Sequence, residues 1–303
     1  MVKRNFLRLG DFPLDDHRAM FQRAHQLKRR RQEHLLDQTL EGKTLVLLFE
    51  KPSTRTRLSF EAAICQLGGN VSTLDAADSQ LGRGETIDDT ARVVSRYADA
   101  IMLRTFGHDR LQQFAAAASV PVINGLSDGA HPVQLLADLL TIEERLGSIE
   151  KSTVAFIGDG ASNMARSWAE AAQLFGFALR IAAPPSYRPP AEEVRGPKIQ
   201  VTSDPVEAVA GANVIATDVW TSMGQEAEAQ KRRRELSGFC VDEKLLAKAR
   251  SECIVLHCLP AHRGEEISGA VIDGPQSAVF DEAENRLHVQ KALLERLILT
   301  QAG

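Results

Sequence analysis

No CxxC pair occurs in the 303-residue sequence, and its four cysteines, Cys65, Cys240, Cys253 and Cys258, are scattered. That spacing gives neither a disulfide framework nor a zinc site, and it fits a reducing compartment. No apolar run approaches the ~18 residues that would mark a membrane span. The opening MVKRNFLRLGDFPLDD lacks the apolar core, roughly 7–15 residues long, of a secretory signal. A basic excess is missing too. The formal net charge is −4, which argues against a general nucleic-acid binder and means that any bound anion must be held by a local cluster. These absences point to a cytoplasmic enzyme or a small-molecule binding protein. What is present is ordinary for a globular chain: 44% hydrophobic and 25% charged residues. The length fits two domains at the usual ~100–200 residues each.

The pattern along the chain is strand, helix, strand. A first helix is expected over 14–38, with the basic run KRRR at 28–31 on a solvated face. TLVLLFE (44–50) reads as a buried strand and RLSFEAAICQLGG (57–69) as the next helix. Strands at 70–76, 100–105 and 120–125 alternate with helices at 88–98, 111–118 and 131–147. A second series begins after residue 150, with a strand and turn at 153–160, strands at 178–184, 198–204 and 213–220, a further strand with a turn at 253–260, and helices at 162–176 and 205–212. A last helix covers 288–299. This alternation implies parallel sheets covered on both faces, hence an α/β fold of two doubly wound parallel-sheet domains. The boundary is placed near residue 148, giving domains 1–148 and 149–287, with the C-terminal helix 288–303 packing back on the first.

Open parallel sheets bind ligands outside the carboxyl ends of their strands. Five stretches fall there: Ser53–Arg57, Arg104–Thr105, the loop before His131, Asp218–Met223 and His257–Pro260. In FEKPSTRTRLSF, hydroxyls and arginines meet a helix N-terminus, whose free N–H groups favour an anion. STRTR is therefore either a phosphate cradle or a plain helix cap with arginines in water. The run has no GxxxxGK[ST], so nucleotide is not the first choice. Arg104 either points into the same crevice or makes a surface salt bridge. His131 and Gln134 share a helix face; His131 either donates to a carbonyl oxygen or caps. GDGASN lacks the GxGxxG spacing, because Asn163 stands where the third glycine would be, and this argues against a nicotinamide cofactor. Asn163 either grips a carboxylate or caps. Asp218 either holds an ammonium group or caps, and Cys258 is either a buried structural thiol or part of a shared site.

Taken together, FEKPSTRTR, DSQLGRGE, HPVQ, DVWTSMGQE, HCLPAHRGEEI and FDEAENRLH resemble, in order, the motifs of the ornithine carbamoyltransferases, over nearly the whole chain. The resemblance implies an active site in an interdomain cleft. It assigns Ser53, Thr54, Arg55 and Thr56, with Arg104, to the phosphate of carbamoyl phosphate. It assigns Arg104, His131 and Gln134 to the carbamoyl group, and Arg286 to the carbamoyl oxygen. Gln80 matches a residue that the family inserts into a neighbouring subunit's site. Asn163, Asp218, Ser222 and Met223 correspond to groups that hold the amino-acid end of L-ornithine. Cys258 and Leu259 correspond to residues lining the place where amine meets carbamoyl carbon. A homotrimer is implied, with no metal and no organic cofactor. Three stretches depart from the family pattern. Ser162–Asn163 replaces two adjacent asparagines, Arg166 replaces Asn or His, and Val133 replaces the cysteine of HPCQ. Rival readings are a carbamoyltransferase for putrescine or an acylated ornithine, a non-catalytic binding paralogue, and a nicotinamide-dependent oxidoreductase. The direction, arginine synthesis or breakdown, leans to synthesis.

Overall fold

The computed structural model describes residues 4–75, 84–221 and 226–300. The chain divides into two compact units, Met1–Ala137 with Asn285–Gly303, and Asp138–Glu284.

The first unit holds a parallel sheet of β1 (Thr44–Phe49), β2 (Asn70–Asp75), β3 (Ala100–Arg104) and β4 (Val122–Leu126), in the order β2-β1-β3-β4. Its helices are α1 (Leu14–Gln32), α2 (Thr54–Gln66), α3 (Ile87–Val94) and α4 (His108–Ala117), followed by α5 (Pro132–Leu146), which runs on into the second unit. The unbroken apolar run of β1 reflects a strand covered on both faces. Val46 and Leu48 pack with Ala91 and Val94 of α3 and Leu111 and Phe114 of α4. Leu45 and Leu47 are equally buried and, by the pleat, face the other way. Each leucine so buried contributes about 1.5–3 kcal/mol.

The second unit holds β5 (Thr153–Ile157), β6 (Ala178–Ala182), β7 (Ile199–Thr202), β8 (Val214–Thr217) and β9 (Ile254–His257), all parallel, in the order β7-β6-β5-β8-β9. It carries α6 (Asn163–Phe175), α7 (Pro205–Val209), α8 (Ala229–Leu236), α9 (Glu243–Leu246) and α10 (Gly269–Ile272). Gly176, at φ +74°, closes α6 in the left-handed region. One core cluster joins Ile157, Ile215 and Val255 of the sheet to Val209, Leu246 and Ile272 of the helices. The last helix, α11 (Val279–Leu299), begins in this unit and ends in the first. There Glu295 takes a fork from Arg23 at 2.6 and 2.8 Å and the Thr39 hydroxyl at 2.6 Å.

Both strand orders reverse at a central pair, β1/β3 in one sheet and β5/β8 in the other. Crevices open at such switch points. Arg104 ends β3, and the loops that follow β1, β5 and β8 carry Ser53, Asp159 and Asp218.

The architecture follows the expectation from sequence, with corrections at element ends. Helix α1 stops at Gln32 rather than 38, and His34 turns the chain at φ +57°. Arg30 then reaches back to Asp37 at 2.7 Å. The KRRR run is not wholly solvated, because Lys28 also donates to Asn285 Oδ1 at 2.8 Å. Helix α2 starts at Thr54, three residues early, since Ser53 caps it. Helix α11 starts at Val279 rather than 288, with Asp281 and Glu282 in its first turn where the dipole favours them. Arg286 is therefore a helical residue. By contact, the two units divide inside α5. Among the described residues, no helix is long and apolar enough to cross a membrane.

Candidate active site

In the first unit, Ser53 Oγ accepts the Thr56 N–H at 3.4 Å. Capping thus accounts for one of the four N–H groups that a helix start leaves over. Thr56 is buried, and its Oγ1 accepts Arg286 Nη2 at 2.9 Å. The other guanidinium nitrogen, Nη1, donates to Gln134 Oε1. One arginine of α11 therefore joins the first turn of α2 to the first turn of α5. Arg57 points elsewhere: it is exposed and pairs with Glu61 at 2.9 Å. Thr54 is also exposed.

His131 precedes α5 and is buried. Burial, and then the charges of Arg286, Arg104, Lys51 and Arg55, hold its imidazole well below the usual histidine range. Its ring is therefore neutral at physiological pH. Arg104 ends β3 and is only 8% exposed, so the surface salt bridge considered for it is not what forms. Four cations converge on one buried, uncharged histidine, and such a field favours an anion. Sequence reasoning left out Lys51. Its ammonium lies 4.8 Å from the Phe106 ring centroid. Burial and the neighbouring Arg104 bring its pKa down to about 8. The available signal was its place in FEKPS, directly after the carboxyl end of β1.

In the second unit, Asp218 follows β8 and Cys258 follows β9. The thiol donates to Asp218 Oδ1 at 3.1 Å, and the same oxygen accepts the Val219 N–H at 2.7 Å. Burial raises the Asp218 pKa against the pull of His257 and the thiol hydrogen bond. Burial and the Asp218 charge push the Cys258 thiol well above its usual value. Cys258 is thus a protonated donor rather than a thiolate nucleophile. Leu259 stands at φ +56°, where a branched side chain is strained by roughly 1–3 kcal/mol, and the bond to Pro260 is cis. Its N–H donates to His257 Nδ1 at 2.9 Å, so the His257 proton sits on Nε2, 3.0 Å from Glu266 Oε1. Asp218, His257 and Cys258 offer ligand atoms within 4.8 Å of one another. Both nitrogens of His257 are engaged, and the thiol keeps its proton. A metal would have to displace these bonds.

Ser162, not Asn163, caps α6, accepting the Ala165 N–H at 3.2 Å. Asn163 is the first helical residue, and Arg166 pairs with Glu193 at 2.6 Å. A second group outside the sequence reading is Arg232 of α8. It is buried and donates to Asp159 Oδ2 and to the Trp220 carbonyl, tying the loop after β5 to the loop after β8. Gln80, Ser222 and Met223 lie outside the described residues.

Residues 4–144 match the carbamoyl-P binding domain, and residues 150–297 the Asp/Orn binding domain, of aspartate/ornithine carbamoyltransferase. The chain belongs to the aspartate/ornithine carbamoyltransferase family. Within it, the chain is 54% identical over 298 residues to an ornithine carbamoyltransferase of Halorhodospira halophila, covering 98% of this chain and 99% of that protein. The crystal structure of ornithine carbamoyltransferase from Burkholderia thailandensis shares 47% identity at a TM-score of 0.91, covering 98% and 99% of the two chains. That of the anabolic ornithine carbamoyltransferase from Campylobacter jejuni shares 40% identity at a TM-score of 0.92, covering 99% and 100%. In this carbamoyltransferase chain, Lys51, Arg55, Arg104 and His131 lie in the first matched domain, and Arg286 and the Asp218–Cys258 pair in the second.

Proposed function

We propose that the chain transfers the carbamoyl group of carbamoyl phosphate to the δ-amine of L-ornithine, giving L-citrulline and phosphate. The observation that carries this reading is the buried, neutral His131 surrounded by Arg55, Lys51, Arg104 and Arg286. Ser53, Thr54, Arg55 and Thr56 hold the phosphate, with Arg104. His131 and Gln134 orient the carbamoyl group, and Arg286 meets its oxygen. Leu259 lines the reacting pair. Asn163, Asp218, Ser222 and Met223 hold L-ornithine, and Gln80 serves a neighbouring subunit in a homotrimer.

The δ-amine resembles lysine and is mostly protonated at neutral pH. It must lose a proton before attack. Asp218 and Cys258 orient the neutral amine, and the second proton, shed by the nitrogen as its bond to carbon forms, leaves with the departing phosphate. The nitrogen forms a bond to the carbamoyl carbon, and the carbon–oxygen bond to phosphate breaks. Negative charge grows on the carbonyl oxygen meanwhile. Fixed donors and cations stabilise it in the low-dielectric site, and one such donor is worth on the order of 10²–10³ in rate. His131 suits this role because a neutral ring can donate one proton without a further charge to desolvate.

Close relatives named ornithine carbamoyltransferase favour ornithine over putrescine or an acylated ornithine, and arginine synthesis is the direction proposed. The test is a colorimetric citrulline assay with carbamoyl phosphate and each amine. Ornithine should give the highest kcat/KM, and a higher value for putrescine or N-acetylornithine would overturn the substrate assignment.

A further inference from the structure

His108, the first residue of α4, belongs to no part of the site described so far. Three elements meet on it. Arg8 Nε donates to His108 Nε2 at 3.1 Å. An arginine nitrogen can only donate, so Nε2 carries the lone pair and Nδ1 carries the proton. Nδ1 lies 2.8 Å from Ser127 Oγ and donates to it. The Ser127 hydroxyl faces the Ala130 carbonyl at 3.5 Å, and the Ser127 N–H donates to that same carbonyl at 3.0 Å. Ala130 is the residue before His131.

The loop is built around this ring. A Cβ on Gly129 would stand 2.9 Å from His108 Cγ and 3.1 Å from Nδ1, so only glycine lets the backbone lie on the imidazole. Asp128 Oδ1 accepts the His108 N–H at 2.8 Å, and the Asp128 N–H donates to the Phe106 carbonyl at 2.8 Å. Asn124, itself buried, adds a donor to Ser127 Oγ at 3.2 Å and to the Ala130 carbonyl at 3.3 Å. The loop that ends in His131 is therefore moulded on the segment that follows Arg104.

We infer that His108 is a positioning residue for carbamoyl transfer: its Nδ1-protonated ring, locked by Arg8, sets the Ser127–Ala130 turn and so the placement of His131. The inference rests on the proposed reaction. Burial and the Arg8 charge both keep the ring neutral, against the weaker pull of Asp128, Asp109 and Asp11. A second proton would set two donors, Arg8 Nε–H and Nε2–H, against each other.

The test compares His108→Asn, whose amide sits near the place of Nδ1, with His108→Gln, whose amide reaches the place of Nε2. Both are assayed at saturating carbamoyl phosphate and ornithine. Misplacement of a catalytic group by about 1 Å can cost ~10² in rate. His108→Gln should lose roughly tenfold or more in kcat on that scale, and His108→Asn should restore kcat to within about threefold of wild type. Affinity for inorganic phosphate, a probe of the Ser53–Arg57 turn, should change little in either. If His108→Gln does not fold, Ser127→Ala replaces it and should show the same kcat loss with phosphate binding retained. Equal kcat in the Asn and Gln variants, or parallel loss of kcat and phosphate affinity, overturns the inference. A wild-type enzyme that makes no citrulline would sink the proposed function itself. An active wild type with indifferent variants would sink only the role of His108.

Discussion

The Cys258 thiol donates to the Asp218 carboxylate, with 3.1 Å between Sγ and Oδ1. The carboxylate makes the thiol less acidic, whereas the thiol's hydrogen bond makes the carboxyl more acidic, against the effect of burial. The aspartate charge opposes a thiolate, and burial opposes the aspartate charge. The pair keeps one proton on sulfur and presents one carboxylate to whatever binds beside it. An ammonium arriving there would find a counter-charge, and a neutral amine an acceptor. Cys258 should therefore resist alkylation. Iodoacetamide at pH 8 should label exposed Cys65 long before Cys258, as read by peptide mass spectrometry. Early labelling of Cys258 would contradict a protonated, buried sulfur.

Removing the carboxylate charge tests the division of labour between the two units. Asp218→Asn keeps the shape but loses the partner for an amine. Turnover of ornithine should fall by at least ~10², on the scale of one lost electrostatic contact in a dry site. Phosphate binding, which belongs to residues of the first unit, should stay within about twofold. Isothermal titration with phosphate gives the comparison, and equal damage to both would show that the assignment is wrong.

Arg286 makes two bonds in different directions, to Thr56 and to Gln134. A lysine keeps the charge but cannot fork. Arg286→Lys should thus retain a cation near His131 while freeing the Gln134 amide to turn. Loss of one fixed donor predicts a fall in kcat of ~10²–10³. A wild-type kcat in Arg286→Lys would mean that charge alone suffices.

Much of the architecture was legible because β1, β3, β5 and β8 are compact apolar runs with hydroxyl, acidic or basic residues at their carboxyl ends. That arrangement exposed Ser53, Arg104 and Asp218 before any coordinates. The start of α11 was not legible. Glu282, Asn285, Arg286, His288 and Gln290 are polar yet buried, so hydrophobic periodicity marks the wrong residues. Lys51, His108 and Arg232 were missed for a different reason. Their meaning comes from neighbours far away in sequence, and composition carries no trace of that. The cap at Ser162 was within reach, since serine ahead of an apolar-periodic run is a start signal.

Gly160 makes a stability prediction. A Cβ there would meet Pro189 Cδ at 2.9 Å, and Ile181 Cγ2 and the Tyr187 carbonyl at 3.0 Å. Two of these atoms belong to a strand side chain and a backbone carbonyl, which yield little. Gly160→Ala should cost about 1–3 kcal/mol as an overpacked site. It should also raise the KM for ornithine, because the loop leads into Asn163. Urea denaturation would show the first effect as a lower midpoint at unchanged slope, and an unmoved midpoint would refute it.

Lys51 couples anion binding to protons. Its pKa is about 8 in the unliganded protein, against 10.5 for an ordinary lysine. The folded state therefore holds fewer protons than the unfolded chain between pH 8 and 10.5. Through this group alone, stability rises with pH across that window, because the penalty for a buried charge disappears once the amine is neutral. A bound dianion acts in the opposite sense. It restores the ammonium, so binding above pH 8 must take up a proton, and affinity must fall as pH climbs towards 10.5. Titrations with inorganic phosphate at pH 9, in two buffers of different ionisation heat, read that uptake directly. Lys51→Met should abolish the uptake and flatten the affinity between pH 7.5 and 9.5, roughly the interval about the lowered pKa. Proton uptake that persists in Lys51→Met would assign it to another group, and no uptake in wild type would mean that the anion binds out of reach of Lys51.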